Sequence, residues 1–339
     1  MEFGLYSLGD HMPNPHTNEW ISASRRLTEI VEAAKLAEEV GIDVFSVGES
    51  HQKYFTTQAH TVLLSAIAQA TNTIKLSSSS TIISTSDPVR VFEDFATIDL
   101  LSGGRVEIIA GRASRIGLFE LLGYELTDYE ALFEEKFALL NLINEQEVVN
   151  WKGEFRAPLK NAEILPRPFN GKLPIWRAVG GTPASAVKAG EAGVPMALAA
   201  LGGNALHFKR IIDLYRKSAE RAGHDVSSLP VATTSLMYLT ENVEHAMNTM
   251  YPYLNKGMFH VNGRGYPAQL FMDGDAVEDV LMVGDAGRIV EKILHQYELF
   301  GHQRFLAQID FGGIPFKEVA KTIETIGSDI LPQVRKYTK

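Results

Sequence analysis

The chain has 339 residues, of which 45% are hydrophobic and 22% charged, a composition that excludes a disordered or fibrous protein. It holds 41 acidic and 32 basic residues, and the resulting net charge of −9 makes nucleic acid and anionic membranes poor partners. The absence of cysteine excludes disulfides, thiolate metal sites and cysteine nucleophiles. At roughly 150 residues per domain the length allows two domains, although an α/β barrel of this size can be a single one.

The first residues, MEFGLYSLGDHMPNP, carry acids and no basic residue before any apolar run, so they do not resemble a signal peptide. No apolar run approaches the roughly 18 residues that a membrane span needs. We therefore expect a cytoplasmic protein with no membrane partner.

Short apolar runs alternate with longer amphipathic stretches along the chain. Eight of the runs are predicted strands: Phe3–Leu8, Val44–Val47, Ile74–Ile83, Val106–Ala110, Ile175–Val179, Met196–Ala200, Val231–Leu239 and Phe305–Asp310. Each is followed by a predicted helix: Ile30–Val40, Thr61–Ala70, Pro88–Leu101, Tyr129–Ile143, Pro183–Ala192, Ala205–Ala222, Ala286–Leu299 and Phe316–Ile326. The third of these helices has Asp87 as its predicted N-cap, ahead of Pro88.

Two stretches interrupt the alternation. Residues 150–172 contain three prolines and few periodic apolar residues, which predicts an insertion or a long loop. Residues 251–285 are rich in glycine and aspartate and are predicted to be irregular. This second insertion is the expected lid or pocket wall, with Tyr253, Met258, Phe259 and His260 as expected lining residues, although an ordinary surface excursion fits it as well.

Repeated β-then-α units without an antiparallel hairpin signal predict a parallel sheet. Eight such units predict an α/β fold of the closed (β/α)8 TIM-barrel type, with residues 1–339 forming a single domain that carries both insertions in its βα loops. In such a barrel the functional site lies at the carboxyl ends of the strands.

Two segments at predicted strand ends carry polar side chains. Glu49 and His51 follow the second strand, where a carboxylate beside an imidazole can support proton transfer. Residues 77–81 (SSSST) end the third strand, and their small side chains leave room for a flat ligand. A surface loop and an internally hydrogen-bonded strand, respectively, explain the same residues without a ligand.

Two further segments suit an anion such as phosphate. After the fourth strand, Arg112 and Arg115 lie among small residues, and guanidinium groups match phosphate oxygens. After the fifth strand, Gly180, Gly181, Thr182 and Ser185 precede or begin a helix, whose free N–H groups favour anions. Surface ion pairs and a plain helix cap are the alternatives. Because no metal-binding motif is present, we expect no metal site.

Taken together, the motifs resemble the bacterial luciferase-like flavin monooxygenase superfamily. The resemblance spans most of the chain and rests on three runs: residues 33–51 (AAKLAEEVGIDVFSVGESH), 87–112 (DPVRVFEDFATIDLLSGGRVEIIAGR) and 179–196 (VGGTPASAVKAGEAGVPM). It implies FMN at the mouth of the barrel, with deazaflavin F420 used by some relatives in the same cleft.

The resemblance also implies roles for particular residues. The flavin phosphate is expected at Arg112, Gly181, Thr182 and Ser185, with Gly111 and Gly180 beside them. Ser79 and Ser80 match a place where the family often has a cis peptide beneath the isoalloxazine ring.

Some positions depart from the family pattern. Ser50 stands where many members have a histidine, and Gly111 stands where luciferase has a reactive cysteine, so light emission from a long-chain aldehyde is not expected. A flavin-site histidine position before the third helix is Asp87 here.

From these implications we hypothesise an FMN-dependent monooxygenase. Reduced FMN from a separate reductase would react with O2 to a flavin hydroperoxide, which oxygenates a small organic substrate. His51 and Glu49 are the expected proton-transfer residues, and relatives suggest a homodimer or homotetramer. The alternatives are an F420-dependent hydride-transfer oxidoreductase, a flavin-binding protein without turnover and, more distantly, a metal-dependent barrel hydrolase.

Overall fold

Eight parallel strands form a closed barrel in the computed structural model, which describes residues 1–112 and 118–338. β1 pairs with β2 on one side and with β8 on the other, so the sheet closes on itself and confirms the predicted (β/α)8 fold. In chain order, β1 to β8 are Glu2–Ser7, Val44–Val47, Lys75–Ser78, Val106–Gly111, Ile175–Val179, Met196–Ala199, Val231–Leu239 and Arg304–Gln308.

The strands are buried on both faces, as expected for a parallel barrel covered by helices. All six residues of β4 are buried, for example, although one of them is Glu107. This carboxylate lies inside the barrel near the amino ends of the strands, where Arg304 Nη1 donates a hydrogen bond to it at 2.5 Å. The Arg304 guanidinium also stacks 4.7 Å from the ring centroid of Trp176. We call Arg304, Glu107 and Trp176 the barrel plug.

A barrel helix packs outside after each strand, and after β7 it is preceded by shorter helices, the first of which is Val243–Thr249. The barrel helices are Ala23–Glu39, His60–Ala70, Pro88–Ser102, Tyr129–Glu145, Pro183–Glu191, Ala205–Arg221, Ala286–Phe300 and Phe316–Thr325. Asp87 caps the third of them as predicted, accepting a hydrogen bond from the N–H of Val89 at 2.8 Å. A single helical turn, Leu118–Leu121, precedes the fourth, and a π-helical segment, Ile326–Ile330, leads into the last helix, Leu331–Tyr337.

The predicted third strand is divided in two. β3 ends at Ser78, and a cis peptide bond joins Ser79 to Ser80. The chain then forms a second short strand, Thr81–Ile82, that pairs with the end of β4. The side chains that hold the backbone at this division belong to the site described below.

The insertion at residues 150–172 contains part of a short hairpin. Val148–Trp151 and Leu159–Glu163 pair as antiparallel strands, for which the sequence analysis found no signal. The turn of this hairpin is held by Glu135 on the fourth barrel helix, whose carboxylate accepts the N–H groups of residues 154, 155 and 156 at 2.6 to 3.1 Å. A long-range carboxylate contact of this kind leaves no local pattern in the sequence.

Residues 251–285 are also more regular than predicted. They form the helices Tyr251–Asn262 and Ala268–Asp273 and a short strand, Met282–Gly284, that pairs in parallel with the end of β7. Gly263 ends the first of these helices with a φ of 69°, a left-handed conformation that glycine adopts freely. Gly263, Gly274 and Asp285 thus mark helix ends rather than an irregular chain.

Over residues 1–112 and 118–338, no helix is long and apolar enough to cross a membrane.

Candidate functional site

A cavity of about 320 Å³ opens at the carboxyl ends of the barrel strands. Residues on or just after seven of the eight strands line it, which is the location expected for the site of a TIM barrel. Six of the residues predicted for the site line the cavity directly: Glu49, His51, Ser79, Ser80, Arg112 and Gly180.

Glu49 and His51 form a hydrogen-bonded pair at the cavity wall. The Glu49 carboxylate lies 2.7 Å from Nε2 of His51 through Oε1, and its Oε2 accepts the N–H of Ile82 at 2.7 Å. Because Nε2 is held by Glu49, Nδ1 is the imidazole nitrogen left to exchange a proton with a bound molecule. The structure thus brings together the two residues predicted for proton transfer.

A buried histidine that the sequence analysis did not select, His60, supports the same wall. Its Nε2 lies 2.8 Å from Oγ1 of Thr81, and its Nδ1 lies 3.7 Å from Oε2 of Glu49. Burial lowers the pKa of His60, while the facing charge of Glu49 opposes that shift. His60 thus contacts the side chain of Thr81 and Glu49 holds the backbone N–H of Ile82, both directly after the cis peptide.

The cis peptide between Ser79 and Ser80 confirms the expectation from the family resemblance. Gly111 lies directly behind it. A Cβ atom built at Gly111 would lie 2.1 Å from Oγ of Ser80 and 3.3 Å from Cβ of Ala178. Gly111 was predicted to contact the cofactor, and its geometry assigns it to the close packing that positions Ser80.

Arg112 extends along the cavity toward the helix that follows β5. Its Nη1 donates to Oγ of Ser185 at 2.8 Å, and its guanidinium stacks 4.2 Å from the ring centroid of Phe133. Its Nη2 lies 3.2 Å from Glu130 and 3.3 Å from Glu134. Among residues 1–112 and 118–338, the buried Nε of Arg112 has no hydrogen-bond partner. The other predicted arginine, Arg115, lies outside the described residues.

A second arginine lies behind Arg112. Arg177 is fully buried, and its guanidinium lies 4.8 Å from the ring centroid of Phe133. Both of its Nη atoms donate to Glu134, at 2.6 and 2.9 Å. Lys188 adds a third bond to Glu134 at 3.0 Å. Partial burial alone would raise the pKa of Glu134, but the hydrogen bonds and charges of Arg177 and Lys188 lower it.

The loop between β5 and its helix has space for a ligand. Atoms built as Cβ at Gly180 and Gly181 would meet nothing within 4 Å, and Gly181 has a φ of +90°. Thr182 occupies the predicted N-cap position of the helix Pro183–Glu191, but its hydroxyl makes no capping hydrogen bond. Pro183 has no N–H, and the N–H of Ser185 already donates to the carbonyl of Thr182 at 3.1 Å. The Thr182 hydroxyl and the N–H of Ala184 are therefore the groups placed to receive an anion.

Tyr6 and Thr234 form a hydroxyl-bearing floor that sequence reasoning missed. Both line the cavity and both are more than nine-tenths buried. Burial raises the pKa of Tyr6, the side-chain hydrogen bond to Thr234 opposes this, and the nearby charges of Asp10 and Asp310 raise it further. The phenol therefore stays neutral and can donate a hydrogen bond. The sequence signal that could have identified Tyr6 and Thr234 was their position, since both residues lie on predicted strands.

The lining residues expected from the second insertion are placed elsewhere. Tyr253 accepts a hydrogen bond from Asn14, the ring of His260 lies 4.3 Å from that of Tyr54, and Phe259 is exposed. Neither these three nor Met258 belongs to the described lining of the cavity. Because the segment is a helix rather than a loop, it packs on the neighbouring N-terminal segment and not over the opening.

These residues fit a flavin phosphate. Arg112 is bonded to Ser185 in the first turn of the helix, the Thr182 hydroxyl makes no capping hydrogen bond, and no described atom would meet a Cβ at Gly180 or Gly181. The described residues contain no group of three or more acidic or histidine side chains that could hold a metal ion.

Comparison with known proteins gives the family. Residues 1–303 match the family described as luciferase-like monooxygenase, and the chain therefore belongs to that family, whose members are oxidoreductases. Its monooxygenases act on a substrate with O2.

Individual proteins are similar to this chain at low sequence identity. The structure of monooxygenase RslO1 from Streptomyces bottropensis is 22% identical, with a TM-score of 0.84 and coverage of 98% of this chain and 99% of that one. The oxygenating constituent of 3,6-diketocamphane monooxygenase from Pseudomonas putida, solved with FMN, is 18% identical, with a TM-score of 0.77 and the same coverage. An F420-dependent glucose-6-phosphate dehydrogenase from Amycolatopsis mediterranei is 28% identical over 209 residues, 59% of this chain and 62% of that protein.

Proposed function

We propose that this protein is an FMN-dependent monooxygenase that takes reduced FMN from a separate reductase and uses O2 to oxygenate a small organic substrate. The proposal rests chiefly on Arg112, whose guanidinium is bonded to Ser185 at the start of a helix and whose buried Nε has no partner among the described residues. A phosphate group on the flavin is the ligand chemistry that this combination favours. The family membership and the FMN bound to a structural neighbour support it.

The chain contributes two functions at the cofactor itself, one at the phosphate and one at the ring. Arg112, Ser185, Thr182 and the backbone at Gly180 and Gly181 would hold the phosphate. Ser79 and Ser80 would border the isoalloxazine ring, with Gly111 allowing their close approach to β4. When bound, reduced FMN supplies the electrons that activate O2.

The remaining residues would handle protons and water. His51, with Nε2 fixed by Glu49, would hold or move a proton at Nδ1 beside the substrate. Apolar side chains at the wall, among them Leu8, Ile109 and Leu118, would limit the access of water to the reacting groups.

The first test is cofactor binding. Purified protein is titrated with FMN and with riboflavin while flavin fluorescence is followed, and FMN should bind more tightly because only FMN carries the phosphate. Arg112→Ala should weaken FMN binding by about tenfold or more and leave riboflavin nearly unchanged, since a charge-assisted hydrogen bond contributes about 1.5 to 3 kcal/mol. Equal losses for both flavins would contradict the role of Arg112.

The second test is turnover. Reduced FMN is supplied by a flavin reductase and NADH, and O2 uptake is measured across a panel of small ketones, thioethers and aldehydes. Substrate-dependent uptake with an oxygenated product supports the proposal. Tight FMN binding with no product across the panel would favour a flavin-binding protein without turnover.

A second candidate is an F420-dependent oxidoreductase that transfers a hydride. The observation that favours it is the sequence similarity to the Amycolatopsis mediterranei dehydrogenase. A parallel titration with F420 separates the two cofactors, because this candidate requires tighter binding of F420 than of FMN and no consumption of O2.

The proposal includes a cytoplasmic homodimer or homotetramer. Analytical ultracentrifugation at several concentrations measures the oligomeric state, and a monomer at all of them would contradict it.

A further inference from the structure

Two carboxylates bind the same atom of Arg112 but differ in how firmly they are held. Glu134 receives both Nη atoms of the buried Arg177 and Nζ of Lys188, and 35% of its side chain is exposed. Glu130 lies 3.2 Å from Arg112 Nη2 and 3.7 Å from Lys188, and 60% of its side chain is exposed. Glu134 is therefore fixed in a network, whereas Glu130 can turn into solvent at little cost.

Glu130 contacts one particular edge of the Arg112 guanidinium, through Nη2. Nε and Nη2 of an arginine form one edge, which can donate two parallel hydrogen bonds to a phosphate or a carboxylate. On this edge of Arg112, the two carboxylates occupy Nη2, while the buried Nε has no partner in the part of the chain that the structure describes. A phosphate that uses this edge must therefore share or displace a carboxylate, and Glu130 is the one that can leave.

The local charge also changes with Glu130. Arg112, Arg177 and Lys188 face Glu130 and Glu134, which leaves one positive charge among these described residues. When Glu130 turns away, two positive charges remain uncompensated. Two charges match a phosphate monoester, which carries about −1.5 to −2 at neutral pH.

We propose that Glu130 competes with the cofactor phosphate for Arg112, while Glu134 positions Arg112 and Arg177. This inference rests on the proposed FMN function and assigns a regulatory residue to the same site. By weakening phosphate binding, Glu130 keeps the cofactor exchangeable. Rapid exchange suits an enzyme whose reduced flavin arrives from another protein and whose oxidised flavin must leave again.

The test compares three glutamate-to-glutamine variants, each of which removes one negative charge. Glu130→Gln should lower the dissociation constant for FMN by about two- to fivefold, the range expected from an exposed ion pair, and leave riboflavin unchanged. Glu134→Gln should raise the dissociation constant for FMN. Glu125→Gln, at an exposed acid nearby in sequence, controls for the change in overall charge and should alter neither flavin.

The rate of release gives a second readout. In stopped-flow displacement, FMN should leave Glu130→Gln more slowly than the wild-type protein, and the difference should shrink at high salt. An FMN dissociation constant that is unchanged or raised by Glu130→Gln, or a matching change for riboflavin, overturns the inference while the phosphate site stands. If the wild-type protein binds FMN no more tightly than riboflavin, the phosphate site and this inference both fail.

Discussion

Glu49 and His51 are joined by a hydrogen bond of 2.7 Å between Oε1 and Nε2 at the cavity wall. The carboxylate is also anchored to the N–H of Ile82, and the N–H of Glu49 donates to the carbonyl of Ser80 at 3.1 Å. The imidazole is thereby fixed relative to the segment that contains the cis peptide, so its position depends on the same backbone as the proposed ring-binding serines.

Substitution of His51 should affect turnover more than cofactor binding. His51→Ala is expected to lower the oxygenation rate by about 100-fold, a typical contribution of general acid–base catalysis, and to change the FMN dissociation constant by less than about threefold. The measurements are product formation with saturating reduced FMN and a fluorescence titration. Glu49→Gln should lower the rate less, because it keeps the shape of the side chain but removes its charge. Full activity of His51→Ala would rule out the assignment.

Gly111 should not tolerate a side chain. In Gly111→Ala the new Cβ would lie 2.1 Å from Oγ of Ser80, and we expect a loss of roughly 1 to 3 kcal/mol in the free energy of unfolding. Because Ser80 borders the proposed ring site rather than the phosphate site, FMN and riboflavin should weaken together. Gly287→Ala, in a helix where the new Cβ would lie at an ordinary contact distance of 3.4 Å from Oδ1 of Asp285, is the control and should be neutral or stabilising. An unchanged affinity for both flavins would separate Ser80 from the ring site.

Glu135 should control the order of the inserted hairpin. Its carboxylate accepts three N–H groups of the turn at residues 154–156, and Phe155 in that turn packs near the site residues Leu118 and Tyr129. Glu135→Ala should increase amide hydrogen exchange at these residues and raise the KM of the substrate more than it lowers kcat. Glu145→Ala, which removes an exposed ion pair on the same helix, is the matched control. Unaltered exchange in the turn would show that other contacts hold the hairpin.

His302 should make the protein less stable in acid. Burial, with the charges of Arg216 and the chain N-terminus, lowers the pKa of His302 to about 3, whereas the unfolded chain has a histidine pKa of about 6.5. The unfolded state therefore binds a proton that the folded state does not, and stability falls as the pH drops below about 6.5. His302 alone should cost about 2 kcal/mol between pH 6.5 and pH 5.

Urea denaturation at pH 7.5, 6 and 5 measures this effect. His302→Leu should make the dependence on pH shallower, although part of it should persist because burial also lowers the pKa of His60. His245→Gln, at an exposed position, should leave the dependence unchanged. A His302→Leu variant with the wild-type slope would contradict the assignment to His302.

The barrel was predictable because its signals are local. Buried strands such as β4 are nearly continuous apolar runs, and Asp87 with Pro88 marks a helix start within two residues. The inserted hairpin was missed because its anchor, Glu135, lies about 20 residues from the turn that it holds. Helix Tyr251–Asn262 was missed because its glycine and flanking turn residues obscured a short helical pattern.

The same distinction, between local signals and contacts that are distant along the chain, applies to the residues of the candidate site. Residues directly after a strand, such as His51 and Arg112, were predicted from position. Glu134 and Arg177 were missed because their pairing joins a helix to a strand 43 residues further along the chain. The spacing of Glu130 and Glu134 places them on one helix face, but only the folded structure shows that this face meets Arg112.

The barrel plug has a consequence for the order of events. Arg304, Glu107 and Trp176 fill the barrel interior below the cavity, so in the described part of the chain the axis of the barrel is closed at its amino-terminal end. A flavin and an organic substrate would have to share the opening on the opposite side. We therefore expect compulsory-order kinetics, in which the molecule that binds deeper in the cavity arrives first and departs last.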